Sequence, residues 1–309
     1  MSLPRIGITL GDPAGIGPEI VVKALLSSEI YQICRPVVFG DRSVFRQTIK
    51  ALNLGAAGHF LQQLEFVDSA VILDPSSLPV GQITALGGQA AFIAIKNGVQ
   101  AAEAGKIAAL ATAPINKQAL QAAGVDYIGH TEILAGLTGS PEPLTLFVVR
   151  NLRVFFLSRH LSLQQAGQYV TAENLVRFTE RAYRELQKLI NAENPRVAVA
   201  ALNPHAGEDG LFGREEREEI KPAIEILQSR SLNVEGPYPA DSVFYQALQG
   251  QFAAVISLYH DQGHIATKMV DFERTISLTL GLPFLRTSVD HGTAFDIAGR
   301  GVASPTSML

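Results

Sequence analysis

The chain has 309 residues, of which 47% are hydrophobic and 17% charged. At this length folding removes about 75% of the unfolded chain's surface from water, which excludes a disordered protein. Its 25 Lys and Arg against 29 Asp and Glu give a net charge of -4 without a long block of either sign, a balance that argues against nucleic acid and membrane partners and leaves any anionic ligand dependent on local positive charge. Cys34 is the one cysteine, so disulfide frameworks, cysteine-based zinc sites and iron–sulfur clusters are excluded, and this thiol reads as a core residue. The start of the chain runs straight into the apolar stretch 6–10 without the pattern of a signal peptide. The strongest apolar segment, 144–157, is broken by Arg150, Asn151 and Arg153 and is too short to span a bilayer. A reducing cytoplasm is the expected compartment.

Short apolar runs at 5–10, 36–39, 106–111, 144–149, 153–157, 196–201 and 252–257 predict strands. Helical patterns lie between them at 18–27, 87–104, 171–191, 214–229 and 241–248, with Thr171 and Asp241 as N-cap candidates. This alternation predicts an α/β fold with a largely parallel sheet covered on both faces. Residues 148–153 predict a tight hairpin, hence an antiparallel element in mid-chain. No repeat or Gly/Ser linker interrupts the pattern, and the length predicts two domains.

The first strand leads into Gly11-Asp12-Pro13-Ala14-Gly15-Ile16-Gly17-Pro18-Glu19. Glycines between a strand and a helix let a ligand approach the backbone, and a helix N-terminus favours anions. Neither G-x-G-x-x-G nor G-x-x-x-x-G-K-[ST] is present, so a ligand loop and a plain tight turn both remain open. After the 106–111 strand, Asn116 and Lys117 are either ligand contacts or a helix N-cap beside a solvated lysine. Of the seven histidines, His160, His205 and His260 each follow a predicted strand. One sheet edge could gather them into a divalent-metal site, but their separations carry no local metal signature. His59 carries no functional signal. The polar, turn-rich stretch 286–301 reads as an ordered ligand loop.

Five blocks, Gly11–Glu19, Asn203-Pro-His-Ala-Gly-Glu208, Pro237-Tyr-Pro-Ala-Asp241, Tyr259-His-Asp-Gln-Gly263 and Arg286-Thr-Ser-Val-Asp-His-Gly-Thr-Ala294, together resemble the 4-hydroxythreonine-4-phosphate dehydrogenase family of vitamin B6 synthesis. The likeness covers essentially the whole chain. It implies a two-domain α/β/α fold like that of isocitrate and isopropylmalate dehydrogenases rather than a Rossmann fold. The expected domains are 1–128 with 268–309 on the NAD side and 129–267 for metal, substrate and dimerisation. The resemblance implies His160, His205 and His260 as metal ligands, for Zn, Mg, Co, Ni or Mn, and His130, Thr131, Lys268, Ser277 and Arg286 as substrate contacts. It places NAD (or NADP) near Gly11, Asp12, His291, Gly292, Thr293, Ala294 and Asp296. Lys117 is a candidate catalytic cation, and Asp241 a candidate proton relay or ligand-histidine partner, with a helix N-cap as its alternative role. Family members are homodimers whose site the second subunit completes.

The implied reaction is NAD- and metal-dependent oxidation of the 3-hydroxyl of 4-phosphohydroxy-L-threonine or a related four-carbon hydroxy-acid phosphate, then decarboxylation of the 3-keto acid. Ser277, where the biosynthetic pattern has Asn, together with the 272–276 segment, His264, Phe295 and Asp296, looks more like the catabolic branch. That branch resembles D-threonate or D-erythronate 4-phosphate dehydrogenases, which give dihydroxyacetone phosphate. A metal-dependent hydrolase or lyase without NAD is the reading outside this class.

Overall fold

The computed structural model describes residues 3–309; Met1 and Ser2, part of the start read for a leader, lie outside the described residues. The strands are β1 (Arg5–Thr9), β2 (Arg35–Gly40), β3 (Glu65–Asp68), β4 (Ala109–Thr112), β5 (Leu144–Val149), β6 (Leu152–Phe156), β7 (Val197–Ala200), β8 (Val234–Tyr238), β9 (Ala254–Ser257), β10 (Ile276–Leu280) and β11 (Leu285–Val289). The fold is α/β, as the alternation of apolar runs and helical patterns predicts. It divides into two compact units: the described residues up to Pro143 with Ile276–Leu309, and Leu144–Thr275.

In the first unit the strands run in the order β3-β2-β1-β4-β11-β10, all parallel except β10, which is antiparallel to β11. Strand side chains alternate between faces, and on β2 both faces are apolar. Val38 joins Ile8, Leu10, Val22 and Phe45, while Val37 and Phe39 join Ile95, Leu110, Leu120 and Ile133. Helices therefore cover both sides, as a parallel sheet requires. The helix Ala85–Glu103, capped by Thr84 Oγ1 accepting from the Gly87 N–H at 3.0 Å, packs against the helix Lys117–Ala122 so closely that a Cβ on Gly88 would lie 2.0 Å from the Ala119 carbonyl oxygen.

In the second unit the order is β5-β6-β9-β7-β8. The expected hairpin joins β5 to β6, closed by the Val149–Leu152 pair, and its turn residue Arg150 takes φ 53°. From β6 onward the pairs are parallel. All four residues of β7 and of β9 are buried, and Phe147, Val154, Phe156, Val243 and Val255 build the core on one face. Thr171 caps the helix Ala172–Ile190 as expected, accepting from the Asn174 N–H at 3.3 Å.

Four strands are additional to the sequence expectation. β3 and β8 are short and only partly buried, and β10 and β11 carry Ser277, Thr279, Arg286, Thr287 and Ser288 where apolar residues would have signalled a strand. The 214–229 pattern resolves into a π-helical turn, Glu216–Ile220, followed by the α-helix Lys221–Ser229. The compact units also differ from the expected 1–128 with 268–309 and 129–267. Residues 129–143 go with the first unit because Ile133 and Leu134 are packed into its core. Residues 268–275 go with the second because the helix His260–Val270 runs through 268 and Thr275 Oγ1 donates back to the Asp271 carbonyl at 2.6 Å.

Candidate functional site

Parallel strands end on a common edge, and ligands of open α/β sheets gather beyond it. In the second unit β6, β9 and β7 are parallel neighbours, and each is followed within a few residues by one of the three sequence-selected histidines. His160 lies in the loop after β6, His260 opens the helix after β9, and His205 lies in the left-handed turn after β7. All three are exposed. The His260 Nδ1 lies 2.6 Å from Asp261 Oδ1, an arrangement that fixes the ring and leaves Nε2 to bind, as carboxylates do behind metal-bound histidines. The His260 ring stacks on His264 with centroids 4.0 Å apart. His264 is itself enclosed by Phe147 and Phe156, 4.4 and 4.6 Å away. Burial, reinforced by His260, pushes its pKa down to about 4, so it is neutral near pH 7.

The chain thus brings the three histidines to one edge, but their rings are not drawn together. Among the described residues no group of three or more His, Cys, Asp or Glu side chains is arranged to hold a metal ion. The donor set still fits one: three imidazoles on adjacent strand ends, with one of them already backed by a carboxylate. Asp241 lies on the same edge, after β8, exposed in the first turn of the helix Ala240–Leu248. It is not the N-cap that the sequence allowed, because the helix starts one residue earlier, with Pro239 at the cap position. Lys268, on the helix His260–Val270, holds its Nζ 5.4 Å from the centre of the Phe272 ring.

In the first unit the decisive group is Arg286. Its side chain is 4% exposed, and among the described residues its guanidinium is held by hydroxyls: Nε and Nη2 donate to Thr112 Oγ1 at 3.0 and 2.6 Å, and Nη1 donates to Thr279 Oγ1 at 3.0 Å. Burial pulls its pKa down to about 9, so the charge persists at neutral pH. Cross-strand pairing sets Thr279 opposite Arg286 and Ser277 opposite Ser288, which puts these four residues on one face. His130 opens the helix His130–Thr138, with half-buried Thr131 next to it. Burial first, and then the Arg286 charge, drive the His130 pKa well below its usual value, and its Nε2 is buried with no hydrogen-bond partner. A buried cation with donors to spare beside a neutral, unsatisfied imidazole is an anion-binding arrangement. Lys117 is exposed at the start of its helix, and Asn116 takes the cap role, accepting from the Ala119 N–H at 2.9 Å.

The two loops selected for a cofactor meet within this unit. The Ile16 N–H donates to the Thr293 carbonyl at 2.9 Å, and Gly15 lies against Thr293 so closely that a Cβ would come within 2.8 Å. Residues 11–20 are buried throughout. Gly11 takes φ +69° with the Pro114 carbonyl oxygen 2.3 Å from where a Cβ would stand, which requires glycine on both counts. Asp12 Oδ1 accepts from the Ala14 N–H at 2.9 Å, while Oδ2 is buried without a partner. Burial outweighs that bond and raises the Asp12 pKa to about 6. The His291 Nδ1 lies 3.0 Å from the Gly292 carbonyl oxygen, Ala294 takes φ 41°, and Asp296 is exposed. A cavity of about 420 Å³ adjoins the first loop and the stretch 298–301, lined by Gly15, Pro18, Val44, Leu78, Ala298 and Arg300 among others.

Residues 32–309 match the family model of the pyridoxal phosphate biosynthetic protein PdxA. The chain belongs to the PdxA family. A Symbiobacterium thermophilum protein bearing the name "Putative D-threonate 4-phosphate dehydrogenase" is 53% identical, over 99% of this chain and 93% of its own. Among solved structures, the 4-hydroxythreonine-4-phosphate dehydrogenase of Burkholderia phymatum is 43% identical, over 100% of this chain and 96% of its own, with a TM-score of 0.84. That of Klebsiella pneumoniae is 39% identical, over 99% and 96%, with a TM-score of 0.88. PdxA-family membership makes the chain an oxidoreductase acting on CH–OH groups.

The structure adds Thr112, Thr279 and Asp261 to the sequence-selected residues, and stacks His264, singled out in the sequence as a mark of the catabolic branch, on His260. Thr112 stood inside the strand-end motif before Asn116, but nothing marked it as the acceptor for a distant arginine. Two consequences are measurable. Asp12 binds its proton more tightly folded than unfolded, so its contribution to stability is lost as pH rises from about 4 through about 6. Asp12→Asn should therefore stabilise the protein at pH 8 by on the order of 1–3 kcal/mol and leave it unchanged near pH 3, as urea denaturation at the two pH values will report. Arg286→Met removes a buried charge without a carboxylate partner. It should leave the melting temperature equal or higher, and phosphate should raise the melting temperature of the unmodified protein but not that of the variant.

Proposed function

We propose that the chain is an NAD- or NADP-dependent, divalent-metal-dependent dehydrogenase of the catabolic branch, oxidising D-threonate 4-phosphate or D-erythronate 4-phosphate and releasing the carboxylate as CO2 to give dihydroxyacetone phosphate. The observation that carries an anionic substrate is the buried Arg286, whose guanidinium donates to the Thr112 and Thr279 hydroxyls. The choice of sugar acid is supported by the name borne by the relative at about half identity and by Ser277 on the Arg286 face of β10. The second reading is 4-phosphohydroxy-L-threonine, favoured by the family model's description and by the names of the solved relatives.

In the first unit Arg286 would bind a phosphate or carboxylate. His130, held neutral, would accept a hydrogen bond from a substrate hydroxyl or donate one to it, and Thr131 and Ser277 would fix the remaining polar groups. Lys117 offers a further cation. Burial of the arginine means that its direction is set before substrate arrives, so little ordering cost falls on binding. The pocket between the Gly11–Glu19 loop and the stretch 298–301 that follows the His291–Asp296 loop is where we place the nicotinamide cofactor. In the second unit His160, His205 and His260 would hold the divalent ion, with Asp261 fixing the His260 ring, Lys268 offering another cation and Asp241 available to carry a proton on the same edge. When bound, the cofactor supplies the hydride acceptor and the ion polarises the hydroxyl undergoing oxidation. The working assembly we infer is a cytoplasmic homodimer whose partner subunit completes the site.

Reduced-nicotinamide absorbance should be followed with the metal-loaded protein and D-threonate, D-erythronate and 4-hydroxythreonine 4-phosphates in parallel. A sugar acid should exceed the amino acid in kcat/KM by about tenfold or more, and chelation should abolish all turnover. Preference for the amino acid would assign the biosynthetic reaction instead, and turnover that survives chelation would overturn the metal requirement.

A further inference from the structure

We infer that Glu216 is a positioning residue that holds His205 in place through the backbone of the turn before it. This inference rests on the reading of His205 as a metal ligand. Glu216 is 2% exposed and begins the π-helical turn Glu216–Ile220. Its Oε1 accepts from the Leu202 and Asn203 N–H groups at 2.8 and 2.7 Å, and its Oε2 accepts from Asn203 Nδ2 at 2.9 Å. The same Asn203 Nδ2 also donates to Glu215 Oε2 at 2.7 Å. The carboxylates thus seize the chain at the two residues where it leaves β7, just ahead of Pro204 and His205.

The backbone beyond Pro204 is costly. Every residue from His205 to Asp209 has positive φ, between 44° and 80°. Left-handed geometry costs roughly 1–2 kcal/mol for each residue with a Cβ, and such strain persists only where surrounding contacts impose it. Glu216 is the contact that meets the turn: a Cβ on Gly207 would lie 2.6 Å from Glu216 Oε2. The chain then folds back, so that a Cβ on Gly213 would lie 2.3 Å from Asn203 Nδ2. A buried carboxylate satisfied by N–H donors is expensive to desolvate. Its return here is a defined origin and direction for the strained turn, and His205 is the metal-binding type of side chain which that turn carries. The π-turn that supplies Glu216 belongs to a class found often at functional sites.

The test compares Glu216→Ala, Glu216→Gln and His205→Ala in the full-length protein, reading zinc affinity by competition with a chelating dye and amide hydrogen exchange across 202–213 in the metal-free state. Glu216→Ala should accelerate exchange in that segment and weaken zinc binding about 10- to 100-fold, and Glu216→Gln, which keeps one acceptor oxygen, should recover much of both. Wild-type zinc affinity in Glu216→Ala, beside lost affinity in His205→Ala, overturns this inference alone. Wild-type affinity in His205→Ala overturns the metal reading and this inference with it. Where Glu216→Ala does not fold, Glu216→Gln decides: smaller changes in the same direction support the positioning role, and unchanged exchange and affinity overturn it.

Discussion

Parallel strand pairing is the constraint on which the rest of this molecule depends. A strand in a parallel ladder cannot be joined to its neighbour by a tight turn, so the chain must cross back through a helix and leave every strand at the same edge. In the first unit that edge receives the loops after β1, β4 and β11, which carry Asp12, Asn116 and the His291–Asp296 segment. In the second it receives those after β6, β7, β8 and β9, with His160, His205, Asp241 and His260. Residues far apart in sequence become neighbours because their strands do, and no local motif is needed to bring them there.

The same edges are where the fold accepts its electrostatic and conformational costs. Arg286 is buried among hydroxyls rather than carboxylates, Asp12 is buried with one oxygen unsatisfied, and the turn after β7 runs left-handed for several residues. Each would be improved for stability alone by a smaller, neutral or more flexible residue. Such costs mark positions where the ligand, rather than the fold, completes the set of interactions. The contrast with the cores is sharp: the buried positions of β2, β7 and β9 are mainly apolar.

Much of this was legible in the sequence because period and punctuation agreed. The strands at 5–10, 36–39, 144–149 and 153–157 announced themselves as apolar runs, the hairpin by its Arg150–Asn151 turn, and the helix after Thr171 by its cap. β10 and β11 were hidden because their function replaces apolar residues with Arg286, Thr279 and Ser277, whose partners lie across the sheet and leave no local periodicity. Asp241 fitted an N-cap by residue type, yet the cap position falls two residues earlier, at Pro239. The role of Glu216 had no sequence signal at all, since a glutamate in a charged run reads as a solvated helix face. The three histidines were identifiable as strand-end residues, but their joint role rested on the family resemblance.

The most direct measurement is anomalous diffraction from crystals of the protein loaded with zinc, collected at the zinc edge. One strong peak is expected in the second unit, bonded to nitrogens of His160, His205 and His260 at about 2.0–2.1 Å, with the rings drawn together and the Asn203–Glu216 contacts retained. A peak on other residues, or none at these three, would contradict the three-histidine site.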